Sequence, residues 1–247
     1  MKTSVAKFKK SAKPLGYYLE TPELNEFKRL FNRLHTEKQK HGTKIFMITS
    51  AMMSEGKSTV AAYLAVTSAL YQSTETVLVD CDLRRPVIHR HYELPLQQGI
   101  AEVLSRELDL SAAIKPSALP HLKIITAGKP NQTPAELFSL THLQSVVDEM
   151  REKFSIIIFD APPIIPVSDT LLLSNFVDGI LIVVKAGKSQ KRVTQRALDM
   201  LQTNSDKILG VVVNNLRSAL PYYYDHRYYG YKYYRQIENA NAKRSDH

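Results

Sequence analysis

Thr43–Thr59 reads TKIFMITSAMMSEGKST. Ile45 to Thr49 are apolar-rich and read as a buried strand. A turn follows, and Gly56-Lys57-Ser58-Thr59 opens a segment with helical spacing at Val60, Tyr63, Leu64, Thr67 and Leu70. Strand, glycine turn and helix start form the context of a phosphate-binding loop. Backbone N–H groups of the turn and of the helix N-terminus then converge on one place and favour an anion there. Lys57 is placed to reach β- and γ-phosphates, and the Ser58 hydroxyl to ligate Mg²⁺. The pattern asks for Gly at its first position, where this chain has Ala51. Ala fits only if the backbone there does not need a positive φ.

Working outward, two further apolar strands end on acids. Val77-Leu-Val79 runs into Asp80-Cys81-Asp82, and Ile156 to Phe159 runs into Asp160-Ala-Pro162-Pro163. In open α/β sheets, ligands bind at the carboxyl ends of strands. Asp80 and Asp82 share a side if the extended conformation continues, since the strand period is two. Two carboxylates there repel unless a cation or proton sits between them. The competing reading is a pair of solvated loop acids capping a helix. Cys81 points the other way as filler. An apolar strand ending in Asp160 is what a second metal-positioning carboxylate looks like beside a phosphate loop. Pro162 and Pro163 fix an extended exit.

The remaining elements alternate. An amphipathic helix spans Glu23 to Lys40, with Leu24, Phe27, Leu30, Phe31 and Leu34 on one face and Glu26, Arg29 and Arg33 on the other. Expected next are a short helix at Gly99 to Leu108, a strand at His121 to Thr126, a long helix from Pro134 to about Phe154, a strand at Gly179 to Lys185, a helix at Ser189 to Leu201 and a last strand at Ile208 to Asn214. Strands alternating with helices indicate an α/β fold, a doubly wound and mostly parallel sheet with helices on both faces.

The two ends differ from this middle. Residues 1 to 16 carry five lysines and no acid, a basic flexible segment. Between Tyr222 and Tyr234, eight of thirteen residues are tyrosine: Tyr222, Tyr223, Tyr224, Tyr228, Tyr229, Tyr231, Tyr233 and Tyr234. Their spacing has neither period 2 nor 3.6, and burying so many phenols would need many hydroxyl partners. An exposed, flexible tyrosine tail is the expectation. The rivals are an aromatic edge strand and a stacking platform for single-stranded nucleic acid, given the interleaved Arg227, Lys232 and Arg235. The expected division is a basic segment at 1–22, a phosphate-loop domain at 23–217 and a tail at 218–247.

Composition narrows the class. The chain has 247 residues, 44% hydrophobic and 23% charged, enough for one large α/β core. Its single cysteine rules out an intramolecular disulfide and a cysteine-based metal cluster. The longest apolar run, Leu171 to Val184, is broken by Asn175 and Asp178, short of a membrane span. The N-terminus lacks the apolar core of a secretory signal. A cytoplasmic protein is expected. Its net charge of +9 invites nucleic acid, an anionic membrane face or an acidic partner.

Together these residues resemble the bacterial tyrosine kinases (BY-kinases) of capsule and exopolysaccharide synthesis, relatives of the MinD/ParA phosphate-loop ATPases. Ala51 to Thr59 matches the family's Walker A loop, Val77 to Asp82 its D-x-D motif, Ile157 to Pro163 its D-x-P-P motif, and Tyr222 to Tyr234 its tyrosine cluster. The family's early helix carries E-x-x-R-x-x-R for ring assembly. Glu26 and Arg29 match, Asn32 stands where the second Arg belongs, and Arg33 follows. The lysine near the loop start that marks MinD-type ATPases is absent, replaced by Met52 and Met53.

The resemblance implies ATP and Mg²⁺ as cofactors and autophosphorylation of the tail tyrosines between neighbours in a ring. Ser54, Glu55, Gly56, Lys57, Ser58, Thr59 and the adenine-side Asn214 are then the ATP-binding residues. Ser58, Asp82 and Asp160 position the metal, and Asp80, with Asp82 and Lys57, carries the catalysis, Asp80 being the base that orients the phenol. Glu26, Arg29 and Arg33 make the oligomer contact. Implied partners are further copies of the chain, a membrane activator of the polysaccharide co-polymerase type and a phosphotyrosine phosphatase, with no nucleic acid. Recruitment to the inner face of the plasma membrane follows from the activator. The Met1 start favours a separately encoded kinase. The rival functions are a MinD/ParA-like positioning ATPase with water as nucleophile, and a nucleotide-gated scaffold without catalysis.

Overall fold

The computed structural model of the chain describes residues 22–71, 73–139 and 142–215. The N-terminal segment expected at 1–22, apart from residue 22, and all eight tail tyrosines lie outside the described residues. The chain divides into two units, Met1–Asn214 and Asn215–His247, and every element below belongs to the first.

The described elements run α1 (Pro22–His41), β1 (Ile45–Ser50), α2 (Lys57–Tyr71), β2 (Thr76–Asp80), α3 (Ile88–His91), α4 (Ile100–Leu104), α5 (Leu110–Ala113), β3 (Lys115–Pro116), β4 (Leu122–Ile125), α6 (Pro134–Ser139), α7 (His142–Lys153), β5 (Ile156–Asp160), α8 (Asp169–Ser174), β6 (Gly179–Lys185), α9 (Lys191–Met200), a 3₁₀ helix (Gln202–Lys207) and β7 (Ile208–Asn214). The strands form one seven-stranded sheet in the order β3-β4-β2-β5-β1-β6-β7. All pairings are parallel except β3 with β4.

The central strands are buried on both faces, which is why they read as unbroken apolar runs rather than alternating ones. Along β1, Ile45 and Met47 enter one core, together with Leu143, Val147 and Met150 of α7. Phe46 and Ile48 enter the other, with Val60, Leu64 and Phe31 of α2 and α1. Phe27 and Tyr63 stack at 4.6 Å between ring centroids and fasten α1 to α2. Parallel pairing brings the C-terminal ends of β2, β5 and β1 to one edge. Asp80 and Asp160 are register partners there, and Ile48 pairs with Asp160 on its other side.

Several boundaries differ from expectation. The helix expected at Gly99 to Leu108 stops at Leu104, because Arg106 turns left-handed at φ 62 and the Glu107 and Leu108 N–H groups both return to the Glu102 carbonyl. The helix expected from Pro134 to Phe154 is described as α6 and α7. The helix expected at Ser189 to Leu201 begins at Lys191 and is followed by the 3₁₀ turn. Strand β3, a Lys-Pro pair, had no sequence signal; proline is tolerated there because β3 is an edge strand. Helices α3, α5 and α8 are too short to show periodicity.

Candidate active site

The phosphate loop spans the six residues between β1 and α2, and its shape is enforced from within. The Ser50 hydroxyl donates to the Met52 carbonyl at 2.7 Å, and Met52 N–H donates to Glu55 Oε2 at 2.8 Å. Ser54 sits at φ 64 and Gly56 at φ 97. Gly56 has two reasons to be glycine: the left-handed backbone, and Asn214 Nδ2, which a Cβ at this position would strike. Ala51 keeps a negative φ and packs its methyl into the core, so the missing first glycine leaves the loop unstrained.

Lys57, first residue of α2, reaches across to the acids. Its Nζ lies 2.8 Å from Asp82 Oδ2, 3.4 Å from Asp160 Oδ1 and 3.2 Å from the Ser58 hydroxyl. All four side chains are buried. Burial would lower the Lys57 pKa, but the carboxylates of Asp160 and Asp82 outweigh it and hold the ammonium above the usual lysine value. Burial raises the Asp160 pKa, against the pull of Lys57 and the Ser58 hydroxyl.

Asp80 differs from its neighbours. Oδ1 accepts Asp82 N–H at 3.2 Å, and Oδ2 accepts the Val87 and Ile88 N–H groups at 3.0 Å each. It therefore caps α3, as the competing sequence reading foresaw, but as a buried acid at 0% exposure rather than a solvated one. Burial, with the charge of Asp160, pushes its pKa up to about 8 in spite of these hydrogen bonds. Cys81 packs into the opposite core, as expected of filler.

Asp160 Oδ2 is buried and, among the described residues, accepts no hydrogen bond. An orphaned carboxylate oxygen beside a serine hydroxyl and Asp82 suits Mg²⁺, which takes one or two carboxylates, keeps several waters and shares substrate phosphates. Among the described residues no group of three or more His, Cys, Asp or Glu is placed to hold a metal ion by itself.

The D-x-P-P exit is built onto the loop. Ala161, Ile164 and Ile165 donate their N–H groups to the carbonyls of Ile48, Ser50 and Ala51. The two prolines between them have no N–H to leave unsatisfied. Thr49 and Thr170 hydroxyls both donate to the Pro162 carbonyl, at 2.7 and 2.6 Å.

The structure brings Lys57, Ser58, Asp80, Asp82 and Asp160 together, and Asn214 beside the loop. Asn214 Nδ2 donates to the Glu55 carbonyl at 3.0 Å. Ser54 and Thr59 are exposed on the loop and first helical turn. Glu26, Arg29 and Arg33 lie on α1 instead, Glu26 and Arg29 joined at 2.9 Å, with Arg29 and Arg33 each 76% exposed. Two contacts escaped sequence reasoning. Arg84 forms a bidentate pair with buried Asp169, at 2.7 and 3.1 Å, joining the segment after Asp82 to α8. The Ser189 hydroxyl donates to Glu55 Oε1. Neither pair is linked by any motif spacing.

No family model matches the chain. Tyrosine-protein kinase YwqD of Bacillus subtilis (strain 168) is 36% identical over 189 residues, which is 76% of this chain and 78% of YwqD. The chain belongs to the bacterial tyrosine kinases. The putative tyrosine-protein kinase CapB of Staphylococcus aureus is 28% identical over 89% of this kinase and 99% of CapB. Among solved structures, the chimerical protein CapA2B2 matches the kinase with a TM-score of 0.75 and 26% identity, covering 81% of this chain and 87% of that one. The cell division ATPase MinD of Pyrococcus furiosus shares the fold, with a TM-score of 0.59 at 22% identity over 69% and 71% of the two chains. The expected phosphate-loop fold and family are thus found.

Proposed function

We propose that this kinase transfers the γ-phosphoryl group of ATP to tyrosines of its own C-terminal cluster, between subunits of a homo-oligomer. The carrying observation is Lys57 Nζ set among Ser58, Asp82 and Asp160 at the end of the phosphate loop. Loop N–H groups bind the triphosphate, and Lys57 moves from the carboxylates to the β- and γ-phosphates. Ser58, Asp82 and Asp160 hold Mg²⁺, which neutralises phosphate charge when bound. A tyrosine oxygen attacks in line, ADP leaves, and the phenol proton goes to Asp80. An unperturbed phenol titrates near pH 10, so it needs a base when it attacks. A pKa of about 8 suits Asp80 to that task, and the Val87 and Ile88 N–H groups fix its orientation.

The same reading assigns 1–22 as a basic segment, 23–217 as the kinase domain and 218–247 as the substrate tail. Ser54, Gly56, Thr59 and Asn214 complete the ATP site, and Glu26, Arg29 and Arg33 contact the neighbouring subunit. The kinase acts in capsule or exopolysaccharide synthesis from the cytoplasm, recruited to the membrane by an activator protein and reset by a phosphatase. Among the described residues no helix is long and apolar enough to cross a membrane, which suits recruitment through a partner.

Incubation of the purified chain with MgATP tests this reading. Phosphotyrosine on the tail supports it. Free phosphate without phosphotyrosine identifies a positioning ATPase, and neither product identifies a scaffold.

A further inference from the structure

Glu55 is an acid inside a loop whose backbone attracts anions, and it is 3% exposed. Its charge repels a triphosphate, so its place in the loop calls for a structural cause. Both carboxylate oxygens are used within the protein. Oε2 accepts Met52 N–H at 2.8 Å, and Oε1 accepts the Ser189 hydroxyl. Ser189 Oγ in turn accepts Lys185 N–H at 2.8 Å, at the end of β6. The Glu55 carbonyl accepts Asn214 Nδ2 at 3.0 Å, at the end of β7. One residue thus ties the phosphate loop to the C-terminal ends of two strands that follow it by more than a hundred residues.

The tie bears on loop shape. Ser54, the residue before Glu55, stands at φ 64, a conformation a serine keeps only where its surroundings enforce it. Met52 N–H, turned inward onto Glu55, fixes the near side of the same turn. The remaining N–H groups of the loop are thereby held in one arrangement before any anion arrives, and preorganisation of this kind lowers the cost of binding.

We infer that Glu55 and Ser189 are positioning residues for the nucleotide: the Glu55–Ser189 clamp sets the phosphate loop while the Glu55 carboxylate touches no part of the ligand. The inference rests on the reading of this loop as the ATP site. It gives the Glu55 side chain an indirect role within the ATP-binding loop that the resemblance implies.

Charge and bracing act in opposite directions, so substitutions separate them. Glu55→Ala removes both. Glu55→Gln removes the charge, but its Oε1 still accepts Met52 N–H and its amide still meets Ser189 Oγ. Ser189→Ala keeps the charge and breaks the clamp. The full chain is titrated with a fluorescent ATP analogue in the presence of Mg²⁺, and phosphotyrosine formation is followed at saturating MgATP. Glu55→Ala and Ser189→Ala are expected to raise Kd about tenfold, with a smaller loss in kcat, while Glu55→Gln stays within about threefold of the wild type. Thermal unfolding without nucleotide serves as the folding control; if Glu55→Ala does not fold, the other two variants decide. Wild-type affinity in Ser189→Ala, equal weakening by Gln and Ala, or tighter binding by Glu55→Ala overturns the clamp. A wild-type chain that binds no MgATP overturns the kinase reading instead.

Discussion

Lys57 Nζ stands 2.8 Å from Asp82 Oδ2, and both side chains are buried. The cation assigned to ATP phosphates is therefore paired with an acid assigned to the metal, and with Asp160 at 3.4 Å. An ammonium between two buried carboxylates supports the fold as well as the chemistry.

Lys57→Met is expected to abolish phosphotyrosine formation, because the phosphates lose their point charge. It also leaves Asp82 and Asp160 uncompensated, and removing one partner of a buried pair costs about 3 kcal/mol or more. The cost should shrink as pH falls, since burial raises the Asp160 pKa and protonation relieves the repulsion. Chemical denaturation across a pH series checks this, and a loss that does not change with pH would remove the electrostatic explanation.

The raised pKa of Asp80 makes stability fall with alkalinity. Its value of about 8 in the fold exceeds the 3.8 of an unperturbed aspartate. The folded state then binds more protons than the unfolded state between these values, so ∂ΔG/∂pH is negative there. The contribution is complete below 3.8 and is lost as pH rises through about 8. His89 and His91, with lowered pKa values, act in the opposite sense but below the usual histidine range. Unfolding free energy should therefore keep falling up to about pH 8 and level off above it, and Asp80→Asn should flatten that slope. Identical slopes in the two proteins would argue against a titrating Asp80.

Gly56→Ala is expected to weaken MgATP binding at least tenfold, since left-handed strain of roughly 1–3 kcal/mol and a collision with Asn214 act together. Adding Asn214→Ala removes the collision but not the strain. The double variant should recover part of the affinity and no more. Full recovery in a binding titration would show that φ at this position carries no cost.

Arg84 and Asp169 are unequal partners, with side chains 44% and 1% exposed. Arg84→Ala strands a buried carboxylate, whereas Asp169→Asn leaves a cation that water can reach. Arg84→Ala should cost about 1–3 kcal/mol, more than Asp169→Asn, and the double variant should be more stable than Arg84→Ala alone. Thermal unfolding of the three variants measures the order.

Phosphorylation of the tail should change assembly. Each phosphotyrosine adds about −1.5 to −2 charges, so four would add roughly −6 to −8 against the net +9 of the chain. The phosphorylated protein should sediment as a smaller species than the unmodified one, with the difference shrinking as salt rises. Equal masses at low salt would exclude tail control.

The sheet and the acids at its ligand edge were legible because each signal is local. Four or five apolar residues followed by Asp mark β2 and β5, and Gly56-Lys57-Ser58 after β1 marks the loop. A single residue's fitness was readable only as a condition. Whether Ala51 could replace glycine depended on a φ that sequence does not display. The contacts that make the site one unit lie beyond sequence reasoning: Arg84 meets Asp169, and Glu55 meets Ser189 and Asn214. Periodicity and motif spacing report which way a residue faces within its own element. Which distant residue arrives opposite it is decided by parallel strand order, because the crossovers bring the ends of β1, β2, β5, β6 and β7 to one edge from separate parts of the chain.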